Sequence, residues 1–217
     1  MIYILIFVFI FRNDMDRRIV NNMLSSFEKR LMKRKDIQKR FQDILKDRYN
    51  KNLIRNLRHS KDIIYVMFDY YYIVSPKEKS GHYLDYSTNE MLYEVLNKLG
   101  LKWYHSLDSA LEYHHIIWQG IVNPIIVNNY FSGKRKVQNI TYYFHKIKED
   151  FFSFGIIENK TKNNILFYYS DIEKTFLDFL YLKKKTPQEL KKRVDWQQLK
   201  QYVKNYPKSI KKQVYYQ

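Results

Sequence analysis

The chain has 217 residues, 45% of them hydrophobic, and a formal net charge of +17. That length and apolar share suit one large domain or two small ones with a sizeable core. The charge points to polyanionic partners, nucleic acid or an acidic membrane surface, and the absence of cysteine excludes a disulfide frame and a thiolate metal site. A cytoplasmic location is the default expectation.

Residues 2–11 are an unbroken apolar run, about half the length a bilayer-spanning helix needs. No basic segment precedes the run and no small-residue cleavage site follows it, so it lacks the pattern of a signal peptide. Three readings stay open: a start called too early, with initiation at Met15 or Met23; a buried strand or helix; or a weak membrane anchor.

Ile19, Met23, Phe27 and Leu31 recur at i, i+4, and the spacing predicts a helix over 16–35. A second helix is expected over 36–45, with Ile37, Phe41, Ile44 and Leu45 on one face and Asp36 as N-cap. A short third helix follows over 52–59. Leu53, Ile54 and Leu57 face inward, leaving Asn52, Arg55, Asn56, Arg58 and His59 outward or flanking. Residues 63–74 are dense in β-branched and aromatic side chains and suit two short strands with a turn near Phe68-Asp69. Three helices and a hairpin is the winged helix-turn-helix order.

Residues 29–61 carry thirteen basic side chains against three acidic ones, on an apolar skeleton that a basic tail would lack. Codon bias toward lysine supplies part of that charge but does not explain the scarcity of carboxylates. An α-helix fits the major groove of a duplex, where Arg reads guanine and Asn reads adenine. Asn52, Arg55, Asn56 and Arg58 offer both chemistries on one short helix. Lys33, Arg34, Lys35, Lys39, Arg40 and Lys51 are the expected phosphate contacts. Tyr65, Tyr71 and Ile73 are expected to pack the hairpin rather than stack on bases.

Residues 77–81 are polar and read as a linker. Beyond them, helices are expected over 88–99, closed by Gly100, and after Ser106 as a cap. Strands are expected over 125–128, 140–147, 151–157 and 165–169, with 132–136 as a basic loop. Ser170-Asp171-Ile172-Glu173 has capping-box spacing and opens a helix over 172–182. Thr186-Pro187-Gln188-Glu189 repeats the device. A last helix starts near Asp195 and stops before Pro207, and residues 208–217 are expected to fray. The adjacent His114 and His115 point about 100° apart on a helix and cannot easily share one ion. Asp171, Glu173, Lys174 and Asp178 cluster on one helix; the capping box accounts for Glu173 and the helix dipole for Asp171, the alternative being a Mg²⁺-dependent nuclease centre built on Asp171, Glu173 and Lys174. The sequence assigns no catalytic residue, no metal and no cofactor.

Four passages together carry a resemblance. They are Tyr70-Tyr71-Tyr72-Ile73-Val74-Ser75-Pro76, then 104–114 with His114 at its end, Pro124-Ile125-Ile126-Val127 ahead of Lys134-Arg135-Lys136, and Ser170-Asp171-Ile172-Glu173-Lys174-Thr175-Phe176-Leu177-Asp178. This order resembles the AbiEi-type antitoxins and transcriptional regulators of type IV toxin–antitoxin systems, over roughly 29–182. The last passage is the most specific, being similar to that family's Glu-Lys/Arg-Thr-x-x-Asp helix. Two features depart from the pattern: the apolar head, and His115 where the family often has Gly. The resemblance implies a winged helix that binds the protein's own operator, often an inverted repeat. It further implies a C-terminal domain that counters a nucleotidyltransferase-like toxin without a stable complex.

The expected fold class is therefore α+β: an N-terminal winged helix-turn-helix at 16–76 followed by a mixed α/β domain at 82–206. An apolar head occupies 1–15 and a basic tail 207–217. The expected function is a double-stranded-DNA-binding autorepressor and antitoxin, not an enzyme. The alternatives are a DNA-targeted nuclease and a basic protein held at a membrane surface.

Overall fold

The structure, a computed structural model, describes residues 14–46, 52–118, 120, 122–183 and 185–215. The apolar run at 2–11 and Lys51 lie outside the described residues. The protein is of the α+β type, with two sheets that do not share strands. Contacts divide the chain into two compact units, Met1–Val95 and Leu96–Gln217.

The first unit begins with helix α1, Asp14–Ser26, followed by strand β1, Leu31–Lys33, and helix α2, Arg34–Leu45. The single helix expected over 16–35 is thus two elements. The hydroxyls of Ser25 and Ser26 donate back to the carbonyls of Asn21 and Met23, competing with the helical ladder where α1 ends. Leu31, Met32 and Lys33 instead pair antiparallel with Tyr72, Tyr71 and Tyr70. Phe27 and Leu31 are both buried, Phe27 just past the end of α1 and Leu31 on β1, so their helical spacing does not reflect one helix. Helix α2 starts at Arg34 with Lys33 at the N-cap, not Asp36, and no side chain caps it.

Helix α3, Leu53–His59, leads into strands β2, Ile63–Tyr65, and β3, Tyr70–Ile73. The turn falls at Phe68-Asp69, where both residues adopt positive φ, 47° and 59°. The sheet order is β1-β3-β2, which puts β3 in the middle and explains why Tyr70, Tyr71 and Tyr72 are all buried. Tyr65, expected inside, is 40% exposed because β2 is an edge. Val20, Leu24, Phe27, Ile37, Phe41, Leu57 and Ile73 join one core that packs α1, α2, α3 and the sheet together.

Residues 77–81 form no linker. They belong to helix α4, Pro76–Gly81, which Ser75 and Glu78 close with a reciprocal capping box. The Glu78 carboxylate is buried and accepts hydrogen bonds from Tyr72 Oη, Ser75 N, Ser75 Oγ and Asp85 N. Burial pushes its carboxyl pKa up, but the four donors outweigh this and hold it below the usual value. Asp62 is the unit's other anchor. It takes two hydrogen bonds from Arg17 at 2.7 and 2.9 Å, one from Lys79 at 2.7 Å, and one from Ser60 Oγ. Arg17 is therefore a tie between α1 and the end of α3.

Helix α5, Thr88–Lys98, carries the boundary between the units, and Gly100 follows it at φ 66°. The second unit is a six-stranded sheet flanked by helices. Its strands are β4, Trp103–His105; β5, Ile125–Asn128; β6, Gly133–Val137; β7, Ile140–Lys146; β8, Ile156–Lys160; and β9, Leu166–Ser170. Their order is β6-β7-β5-β4-β9-β8, with β5–β7 and β4–β9 parallel and the other neighbours antiparallel. The basic segment expected as a loop is strand β6 at one edge. Residues 151–157 hold the end of a 3-10 turn, Glu149–Phe152, and only the start of β8. Phe151 there is buried against Tyr206, their rings 4.4 Å apart and nearly parallel.

The helices of this unit are α6, Asp108–Tyr113; α7, Ile172–Asp178, continued by a π turn, Phe179–Lys183; α8, Gln188–Lys191; α9, Trp196–Tyr202; and α10, Lys208–Tyr215. Helix α6 has Leu107, not Ser106, at its N-cap. Helix α7 is capped by Asp171, whose side chain accepts from Lys174 N at 2.8 Å, rather than by Ser170. Pro187 stands at the N-cap of α8 with no side-chain cap, so the second expected capping box is absent there. The tail is helical over Lys208–Tyr215 because Ile210 and Val214, four residues apart, both reach the core. His115, where the resembled family often has Gly, takes φ 54° itself and completes the turn after α6.

Candidate nucleic-acid interface

Helix α3 buries Leu53, Ile54 and Leu57 and exposes Arg55, Arg58 and His59. Arg55 and Arg58 are three residues apart and therefore share a face. The Arg58 guanidinium sits 5.8 Å from the Tyr65 ring centre, which gives the half-exposed tyrosine of β2 a role in holding it. Asn52 is exposed at the start of α3. Asn56 does not join this face. It is only 8% exposed, because position 56 lies three residues after Leu53 and turns with it toward the core.

The cations expected on phosphate are spread over β1 and α2. Arg34, Lys35, Lys39 and Arg40 are exposed, and Lys33 is half-buried. Lys33 Nζ stands 5.4 Å from the Tyr70 ring and the Arg40 guanidinium 5.1 Å from the Phe27 ring, so each long stem lies along apolar surface. Lys33, Arg34 and Lys35 crowd the positive end of the α2 dipole, an arrangement an anion there would relieve. Lys61, also exposed, extends the positive surface past the end of α3.

The second unit holds a different cluster, where sequence reasoning placed the rival nuclease centre. Asp171 accepts from Lys174 N and, at 2.9 Å, from Tyr202 Oη. Glu173 accepts from Asp195 N at 2.8 Å and so ties α7 to the start of α9. Lys174 is fully buried. Its ammonium donates to the Phe151 carbonyl at 2.6 Å and lies 4.8 and 4.5 Å from the rings of Tyr104 and Phe154. Burial pulls its pKa down, while Asp178 and Asp171 push it up. Asp178 accepts from Tyr104 Oη at 2.9 Å, Ser106 Oγ at 2.8 Å and Tyr206 Oη at 3.0 Å. Ser170 Oγ lies 2.7 Å from Thr175 Oγ1 and 3.1 Å from Ser106 Oγ. The polar side chains of the 170–178 motif thus join α7 to β4, β9 and α9, to the turn at Phe151 and to Tyr206 beyond α9. Among the described residues, no three His, Asp or Glu side chains are grouped to hold a metal.

Two histidines complete the geometry. His114 Nε2 donates to the Ser170 carbonyl at 2.7 Å and pins α6 to the end of β9. His105 is buried on β4, stacked 4.9 Å from the Tyr169 ring, and desolvation pulls its pKa down to about 4. An unfolded imidazole takes up its proton near pH 6.5, well above the folded one. Stability from this group is therefore complete above pH 6.5 and lost as pH falls toward 4. The loss is about 3 kcal/mol at most, and urea titrations at pH 7 and pH 4.5 should show His105→Gln flattening the difference.

Scanned against protein-family models, the chain matches none. No curated protein is significantly similar to it.

Proposed function

We propose that this chain is a winged helix-turn-helix regulator that docks on double-stranded DNA and represses its own operon from the cytoplasm. The observation that carries the reading is the face of α3, where Arg55 and Arg58 stand exposed one turn apart while Leu53 and Leu57 are sunk in the core. The order helix, strand, helix, helix, strand, strand supports the same reading, as do the cations of α2. In this reading α3 lies in the major groove, Arg55 and Arg58 read guanine edges, and Asn52 contacts a base or sugar at the groove entrance. Lys33, Arg34, Lys35, Lys39 and Arg40 hold the phosphates and set the register.

The proposal extends to an antitoxin role against a nucleotidyltransferase-like toxin, exerted without a stable complex. Its support is the resemblance of the 170–178 motif, which in this chain builds the interior of the second unit. We read the chain as acting through binding rather than catalysis, since Asp171, Glu173 and Lys174 are each committed to internal partners. A gel shift on the promoter upstream of the gene tests the first part, with saturable, sequence-dependent binding expected. Co-expression with a neighbouring nucleotidyltransferase-like gene tests the second, with restored growth expected. Mg²⁺-dependent plasmid nicking that is lost in Asp171→Ala would reverse the reading in favour of an enzyme.

Phosphate and base contacts separate by salt. Lys39→Ala should weaken binding to all duplexes alike and lower the slope of log K against log salt by about one unit. Fluorescence anisotropy across a salt series measures it, and an unchanged slope removes Lys39 from the interface.

A further inference from the structure

We propose that strand β6 is a docking edge for an acidic, extended segment of another protein, which joins the six-stranded sheet as an added strand. The direction of its backbone groups, the order of its charges and the lack of carboxylates around it all point to that partner.

In β7, Tyr143 N donates to the Pro124 carbonyl at 2.9 Å, so the backbone of Tyr143 faces β5 and not β6. Tyr143 stands opposite Lys134, and Thr141 opposite Lys136. The backbone groups of Lys134 and Lys136 therefore point away from β7, to the open side of the sheet. The Lys134 carbonyl is covered there by Arg135 Nη1, 2.8 Å away. The amides of Lys134 and Lys136 and the Lys136 carbonyl are left as a row that a further strand can pair with. The strand is also held in place beforehand. The Asn128 side chain accepts from Tyr130 N and Phe131 N, each at 2.8 Å, and Ser132 Oγ accepts from Lys146 N at 2.8 Å, so the turn leading into β6 is fixed.

Lys134, Arg135 and Lys136 are exposed in succession. Successive side chains of a strand point to opposite faces. Lys134 and Lys136 share a face with Tyr143, whose ring centre lies 5.0 Å from the Lys134 ammonium. Arg135 takes the other face, its guanidinium 5.2 Å from the ring of Phe131, which in turn packs on Phe144. A strand laid along this edge sends its own side chains alternately to the same two faces. Consecutive carboxylates on it would each meet one cation, at cross-strand Cβ separations of about 4.5–5.5 Å. A phosphate backbone fits less well. Lying over one face it meets the lysines or the arginine, and its oxygens, being acceptors, leave the Lys136 carbonyl without a donor.

No Asp or Glu occurs between Glu112 and Glu149, so β5, β6, β7 and the turns joining them carry none. Lys146 and Lys148, both exposed, add positive charge. Of the nearest carboxylates in the chain, Glu112 lies by Tyr169 of β9 and Glu149 pairs with Lys102 at 2.8 Å, before β4. Asp150 follows in the 3-10 turn beyond β7, and Glu158 is on β8, the opposite edge of the sheet. The longest acidic run of this chain is Glu149-Asp150, so the matching segment belongs to a different protein. The inference rests on the second unit alone, and failure of α3 to read DNA would leave it untouched.

The test titrates the full chain with an end-capped peptide of Val and Thr around a central Asp-Glu-Asp, followed by calorimetry and amide-exchange NMR. Saturable binding is expected, about tenfold tighter than for the Asn-Gln-Asn counterpart, as cross-strand charge pairs supply. The amides of Lys134 and Lys136 should become protected in the complex, while those of Arg135 and Val137, which face β7, should not change. N-methylating the peptide amides that face β6 should abolish binding with the charge intact. Lys134→Gln together with Lys136→Gln should cut the preference for carboxylates to about threefold or less at an unaltered melting temperature. No saturation by about 1 mM, equal binding of the neutral peptide, undiminished binding of the N-methylated one, or full preference in the double variant would each overturn the proposal. So would protection that maps away from β6, or an oligothymidylate that binds β6 more tightly than the peptide and displaces it, which would make the edge a nucleic-acid surface.

Discussion

Replacing Arg55 and Arg58 together with alanine should lower affinity for the cognate promoter duplex by about 2–6 kcal/mol, since each bidentate base contact is worth about 1–3. Affinity for unrelated duplex should fall far less, because the proposed phosphate contacts of β1 and α2 are untouched. The fold should be undisturbed. Both side chains are exposed, and the residues that hold α3 in place are Leu53, Ile54 and Leu57. Asn56→Ala should behave in the opposite way. Position 56 is buried, so its loss should be read in thermal stability before it is read in DNA binding. Anisotropy on specific and scrambled duplexes separates these outcomes. If the double variant binds the promoter as wild type does, α3 is not the reading helix and the proposed docking fails.

Asp178→Ala should destabilise the second unit by about 3–5 kcal/mol. Its carboxylate is the shared acceptor for Tyr104, Ser106 and Tyr206, three donors on two segments, the end of β4 and the turn beyond α9. Alanine would strand all three away from water and remove a charge that supports the buried Lys174 ammonium. Asp178→Asn keeps one carbonyl oxygen and should lose less. Urea unfolding followed by tyrosine fluorescence gives the comparison. A loss below about 1 kcal/mol for alanine would mean that these hydroxyls find other partners and that the motif is not the keystone described. The tyrosines carry a matching signature. Burial first, and then the Asp178 charge, push the Tyr104 and Tyr206 hydroxyls well above their usual pKa, so both should resist alkaline titration until the unit unfolds.

Local pattern carried much of this fold. The second helix, the third helix, the hairpin with its turn at Phe68-Asp69, and the strands β5, β7 and β9 follow from periodicity and residue type. What periodicity could not reveal was pairing at a distance. Leu31 fits a helical stripe and a strand equally well, and only β3, forty residues on, decides for the strand. The same holds for Gly133–Val137, which is basic and loop-like alone yet pairs with β7 along its whole length. The Ser75-x-x-Glu78 capping box was readable in the sequence, but the polar run after it suggested a linker. Ser106 and Ser170 look like caps and instead face each other across the β4–β9 seam, because buried Asp178 and Thr175 need their hydroxyls. At the candidate interface, the exposed arginines were legible from the positions of Leu53 and Leu57. Asn56 belongs with those leucines on the buried side, three residues after Leu53, although its polar side chain suggested an outward or flanking place.

Strand β6 has a consequence for how the molecule behaves among its own copies. It is an open edge of the six-stranded sheet, and Lys134, Arg135 and Lys136 stand exposed on it in succession. An uncovered edge offers free N–H and C=O groups to any passing strand, and consecutive positive charges keep a second copy of that edge from approaching. That protection is electrostatic and therefore conditional. A polyanion lying along β6, or salt strong enough to screen it, would silence the repulsion and leave the edge ready to take on another strand.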